Sequence, residues 1–180
     1  FTDMTNEEFR LKYNKPLERK PVNVLDTPNL SEDPVFYPTV DWRAYIGPAK
    51  KQGECGCCWA FSVSANVEGN YNRIYNDEHI KVSEQEMVDC DKTNGGCTKG
   101  GHYKRALESI KNNCISTDRT YPFLSEFSGK TDICRATEQG KERWDIVEGY
   151  EECPYKNCDK AKMMELLSKG PVSVAIDSLS

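Results

Sequence analysis

The stretch Gln52–Ser62, QGECGCCWAFS, places three thiols in four positions: Cys55, Cys57 and Cys58. A cysteine at the first turn of a helix meets unpaired backbone N–H groups that carry partial positive charge. Those groups favour the thiolate, the nucleophilic form, and are expected to lower the thiol pKa. Cys58 is placed to be such a residue. Trp59 and Phe61 begin an apolar run behind it, whose packing would hold the sulfur at the helix tip. Acyl transfer also needs donors for a developing oxyanion. The Cys58 backbone N–H is one candidate. The Gln52 side-chain amide, brought near by the turn through Gly53 and Gly56, is another, although taken alone Gln52 reads as a solvated loop residue.

Two other chemistries use cysteines at these positions. Cys55–Cys58 is a C-x-x-C at a helix start, as in thiol oxidoreductases, but no βαβ pattern surrounds it. Cys55, Cys58, Cys90 and Cys97 could ligate zinc, but the second spacing is too long for a standard knuckle. Neither accounts for Gln52.

The elements that must position Cys58 follow from the pattern around it. Trp59, Val63, Val67, Tyr71 and Ile74 recur at helical spacing, which predicts a long buried helix over 58–75. Ser83 and Glu86 form a capping box that starts a shorter helix ending near Cys90. DKTNGGCTKGG is a glycine-rich loop and HYKRALESIKNN a third helix. Residues 114–143 read as loop-rich and WDIVEGY as a strand. Asp159 caps a helix that Gly170-Pro171 stops, and VSVAI, 172–176, reads as a buried strand. Towards the other end, Thr5 could cap a short helix within 1–20. Residues 21–40 carry four prolines and read as an extended linker with a boundary near 35–40.

The ordered series of segments resembles the papain-like cysteine proteases, of the cathepsin L-like kind. The family signature C-G-[SA]-C-[WY] is met at Cys55, Gly56, Cys58 and Trp59, and departs at Cys57, where Ser or Ala is usual. FTDMTNEEF resembles the end of the inhibitory propeptide, VDWR the start of the mature enzyme, and VSEQEMVDCD, GCTKGG, TYPF and GPVSVAID later landmarks. The resemblance implies an α+β, two-lobe fold, with the helical lobe present and the β-rich lobe only partly so. It implies a cysteine endopeptidase precursor that hydrolyses peptide bonds through a thioester acyl-enzyme. Residues 1–34 would be propeptide remnant and linker, 35–148 the mature start and helical lobe, and 149–180 the start of the β-rich lobe.

By the same resemblance Cys58 is the nucleophile and Gln52 the oxyanion donor. Gly100 and Gly101 would lie along the substrate backbone, while Tyr103 and Ala175 would line the main specificity pocket. CTKGG is one residue longer than the family's usual loop, and DWRAYIGPAKKQ two residues shorter. The resemblance also pairs Cys55 with Cys97 and Cys90 with Cys134. Cys153 and Cys158, close in sequence, are expected to form a local bridge. Cys57 and Cys114 are left as unreactive thiols.

The family's catalytic His, oriented by an Asn, lies about 130–150 residues after the cysteine, which falls past Ser180. His79 and His102 are the two histidines here; His79 follows the central helix and His102 lies near the substrate loop, where an exposed or pocket-rim role is expected. The 180 residues therefore read as the middle of a longer precursor without its general base. The alternative is a papain-fold protein with a structural or binding role. An epoxide thiol reagent should label Cys58 selectively in the full-length protein.

Composition bounds the remaining classes. Hydrophobic residues at 37% and charged residues at 29% give the balance of a soluble globular protein. A net charge of −5 with no Lys/Arg cluster argues against a nucleic-acid surface, and no apolar run is long enough to span a bilayer. No metal or other cofactor is implied. The expected partners are peptide or protein substrates, the chain's own propeptide and the remainder of the fold. Nine cysteines, an odd number, fit an oxidising compartment with one working thiol. The sequon at Asn29 points the same way, towards the secretory pathway and a lysosomal, vacuolar or extracellular destination.

Overall fold

The computed structural model describes residues 39–76, 80–136, 142–153 and 158–176, together with Thr5 and Glu8. Residues 21–38 of the expected linker and His79 lie outside the described residues, as does most of the expected N-terminal helix. Within the described residues the helices are α1 (Cys58–Tyr75), α2 (Glu84–Cys90), α3 (Tyr103–Asn113), α4 (Ser125–Ser128) and α5 (Lys160–Lys169), with a 3-10 turn at Arg43–Tyr45. None is long and apolar enough to cross a membrane.

Helix α1 starts at Cys58 and stops at Asn76, whose left-handed φ of 48° suits an asparagine C-cap. Its buried face combines Trp59, Ala60, Val63 and Val67 with the polar Ser64, Glu68 and Asn72. Those polar groups are buried because each has a partner. Glu68 meets Lys50, Ser64 donates to Glu84, and Asn72 donates to the Tyr45 carbonyl at 2.9 Å. Ile74, expected on the apolar stripe, is 61% exposed. The face tilts towards α2 and α3, which pack on α1 around one hydrophobic core.

The predicted caps explain where the other helices begin. Ser83 Oγ accepts from Glu86 N at 2.9 Å. The return half of that capping box is absent: Ser83 N donates to the Ser116 carbonyl, while Glu86 accepts from Ser116 N and pairs with Arg143 at 2.7 Å. The helix start is thereby stitched to the loop that follows α3. Asp159 caps α5 by accepting from Lys162 N at 2.7 Å. At the chain start, Thr5 and Glu8 make both halves of a capping box.

Two expected strands are absent among the described residues. Trp144 makes only an isolated antiparallel bridge to Ile115, although Ile146 and Val147 behind it pack on the core. Val172–Ile176 is not a buried strand: Val174 is 55% and Ile176 80% exposed. A strand needs a neighbour for its backbone hydrogen bonds, and no described segment pairs with this one.

Candidate active site

The loop before α1 is folded by hydrogen bonds that its glycines permit. Gly53 has φ +57°, and a Cβ there would lie 2.1 Å from the Glu126 carbonyl oxygen. That carbonyl accepts from Glu54 N at 2.8 Å. Gly56 N donates to the Cys97 carbonyl at 3.0 Å, and the Cys55–Cys97 disulfide closes the same junction. The loop is therefore held between α4 and the glycine-rich loop, and it delivers Cys57 as N-cap and Cys58 as first residue of α1.

The two adjacent thiols enter opposite surroundings. Cys57 is fully buried in the core, and burial drives its pKa far above the ordinary thiol range, with the Cys58 and Glu84 charges adding to the rise. Cys58 is exposed. The N–H groups of Trp59 and Cys58 itself face its sulfur and favour the thiolate, but desolvation by the surrounding atoms outweighs them and raises the pKa. This corrects the expectation that the helix tip by itself lowers it. Two neutral donors do not offset the lost hydration; a cationic partner would be required.

Gln52 is half-buried, and its Nε2 donates to the Cys55 carbonyl at 3.0 Å. That bond uses one of two amide hydrogens and fixes the side chain against the turn. Trp59, next to Cys58, lies under the glycine pair. A Cβ on Gly101 would come 2.6 Å from the Trp59 ring, and Gly100 accepts from Gly95 N at 2.8 Å. The glycine loop thus rests on the first turn of α1.

Tyr103 opens α3 and Ala175 lies in the exposed segment after α5, yet both line one cavity of about 850 Å³. Lys104, Leu107 and residues 145–153 complete much of its wall. His102 is the N-cap of α3: its Nδ1 accepts from Lys104 N at 3.2 Å. Burial, followed by the Arg105 charge, lowers its pKa, which favours the neutral ring that can accept this bond.

The disulfides are Cys55–Cys97, Cys90–Cys134 and Cys153–Cys158. Cys57, Cys58 and Cys114 are free. Three sulfurs of the conceivable zinc set, Cys55, Cys90 and Cys97, are thus tied in disulfides and cannot act as thiolate ligands. Sequence reasoning passed over Glu126, whose carbonyl holds the loop before Cys58. It acts through its backbone, so no side-chain pattern could mark it.

Comparison with known proteins completes the picture. The family of papain family cysteine proteases matches residues 37–180. The probable cysteine protease RDL2 of Arabidopsis thaliana is 41% identical over 187 residues, covering 100% of this chain and 50% of the relative. Chymopapain of Carica papaya is 37% identical over 186 residues, covering 99% and 50%. The structure of a recombinant stem bromelain precursor matches with a TM-score of 0.71 at 32% identity, covering 94% of this chain and 52% of that one. The chain spans about half the length of the curated relatives it matches.

Proposed function

The chain belongs to the papain family of cysteine proteases, and on that premise we propose that it is part of a cysteine endopeptidase precursor whose nucleophile is Cys58. The observation that carries this is the exposed Cys58 sulfur at the N-terminus of α1, faced by two backbone N–H groups and flanked by the Gln52 turn. In this reading the sulfur attacks the substrate carbonyl carbon. The tetrahedral oxyanion is held by the Cys58 N–H and the second Gln52 amide hydrogen. The C–N bond then breaks, the amine departs with a proton, and water cleaves the resulting thioester to restore the thiol.

The substrate backbone lies along Gly100 and Gly101, and one side chain enters the cavity shared by Tyr103 and Ala175. A raised Cys58 pKa makes a proton-transfer partner necessary. His102 is committed to capping α3, and the family spacing of about 130–150 residues after the cysteine points to a histidine beyond Ser180 as that partner. Residues 1–34 act as inhibitory propeptide and linker, 35–148 form the mature start and helical lobe, and 149–180 begin the β-rich lobe. Three disulfides and the Asn29 sequon support a secretory route to a lysosomal, vacuolar or extracellular site.

The test is hydrolysis of a fluorogenic peptide by the whole protein after propeptide removal. Cys58→Ser should lower kcat by at least about 10³-fold, and Gln52→Ala by about 10²-fold. Activity surviving in Cys58→Ser would contradict the assignment. A wild-type protein without activity would favour a papain-fold protein with a structural or binding role.

A further inference from the structure

Cys58, Ser62, Asn66 and Asn70 stand four residues apart on α1, so each is the neighbour of the next in a ridge that winds about 40° around the helix per step. The ridge begins at the proposed nucleophile. Its other members hold the segment that leads to Ala175. Asn66 Nδ2 donates to the Pro171 carbonyl at 2.8 Å, and Asn70 Nδ2 to the same oxygen at 3.2 Å. Asn70 Nδ2 also donates to the Asn66 main-chain carbonyl at 3.0 Å, which holds the Asn70 side chain against the preceding turn of α1. One turn nearer Cys58, Ser173 Oγ donates to the Ser62 carbonyl at 2.9 Å.

The fit is close as well as polar. A Cβ on Gly69 would lie 2.8 Å from the Pro171 ring, and one on Gly170 would lie 2.1 Å from Asn70 Oδ1. Proline has no N–H to offer, so its carbonyl is the only backbone handle at that position, and it receives both amide donors.

The two contacts also set a direction. Pro171 is held at Asn66 and Ser173 one turn earlier at Ser62, so the segment runs back along α1 and its next residues, Ala175 among them, follow towards the end of the helix that bears Cys58.

We infer that Asn66, Asn70 and Ser173 are positioning residues: they fix the Ala175 wall of the specificity cavity in register with the Cys58 sulfur. This rests on the endopeptidase reading and adds to it the residues that set how a substrate side chain sits relative to the nucleophile.

The test compares two thiol reagents on the whole, propeptide-free protein. Iodoacetamide senses only the Cys58 sulfur, whereas a phenylalanyl-alanyl chloromethyl ketone must also fit the cavity. Losing one such hydrogen bond should slow the peptidyl reagent about fivefold. Asn66→Ala should do so while leaving the iodoacetamide rate within about twofold, and hydrolysis should lose in KM more than in kcat. Asn66→Gln, which keeps a donor, should recover much of the loss. Ser173→Ala, which breaks the other tether, should act in the same direction. Equal slowing of both reagents, or no change in either, overturns the inference. A wild-type protein that reacts no faster with the peptidyl reagent than with iodoacetamide removes the endopeptidase reading, and the inference with it.

Discussion

Cys57 and Cys58 share a peptide bond but not an environment. Cys57 is the N-cap, still outside helical backbone geometry, and Cys58 is the first helical residue; Cys57 is buried and Cys58 exposed. In the 180-residue chain, alkylation of Cys58 by iodoacetamide should therefore rise with pH through an inflection above that of an ordinary free thiol, since desolvation by the surrounding atoms moves its pKa upwards. Cys57 should stay unlabelled until the chain unfolds. A mass-spectrometric peptide map checks both, and an inflection below that value would show a thiolate stabilised by these residues alone. The position of the nucleophile could be read from the spacing of Cys55, Gly56, Cys58 and Trp59. The sign of its pKa shift could not, because desolvation depends on atoms that tertiary packing brings in.

At the scale of elements, caps made the helix limits legible. Asp159, Ser83 and the glycine-bounded start at Cys58 each mark where a helix begins, and α1 spans the residues its periodicity indicates. Helix α4 was not legible, because four residues are too few to show a period. The buried Glu68 and Asn72 were hidden too, since their partners come from distant loops.

His102 caps α3 only while its ring is neutral. Its folded pKa lies below the ordinary 6.5, so the stability it contributes is full above pH 6.5 and is lost as pH falls through the folded value. His102→Asn should keep the cap at all pH values, and His102→Ala should cost about 1 kcal/mol; denaturant melts at pH 7.5 and 5 distinguish the three proteins. Gly101→Ala would press a methyl group against the Trp59 ring, and should destabilise by about 1–3 kcal/mol while slowing peptidyl reagents at Cys58.

At the scale of the molecule, an ion cluster of one half-buried Lys50 side chain and two buried carboxylates joins the loop before α1 to the helical core. Lys50 Nζ lies 2.6 Å from Glu68 on α1 and 2.7 Å from Glu84 on α2. Lys50→Met would leave two buried carboxylates without their cation, at a cost of about 3 kcal/mol or more. Burial raises the Glu68 pKa, so the fold takes up a proton there more readily than the unfolded chain does. Stability from that group is present below pH 4.5 and declines as pH rises through the folded value. The Lys50→Met deficit should accordingly be larger at pH 7 than at pH 5, as urea unfolding would show.

The disulfides act at the same scale. On the chain-entropy model, Cys55–Cys97 and Cys90–Cys134, closing 42 and 44 residues, are worth about 4 kcal/mol each. Cys153–Cys158, closing 5, is worth about 2 kcal/mol. The helical part of the two-lobe fold was readable from the sequence. The strand at 172–176 was misjudged because β-branched residues signal a strand without supplying the neighbour it pairs with. Here Ser173 instead donates to the Ser62 main-chain carbonyl of α1, just after Pro171 is held by Asn66 and Asn70.

The measurement that bears most directly on this account is covalent labelling of the whole, propeptide-free protein by an epoxide thiol reagent, followed by a peptide map of Cys57, Cys58 and Cys114. The expected result is a single adduct on Cys58, formed in step with loss of peptide hydrolysis and absent from Cys58→Ser. Equal labelling of Cys57 and Cys58, or hydrolysis that persists after Cys58 is fully labelled, would contradict it.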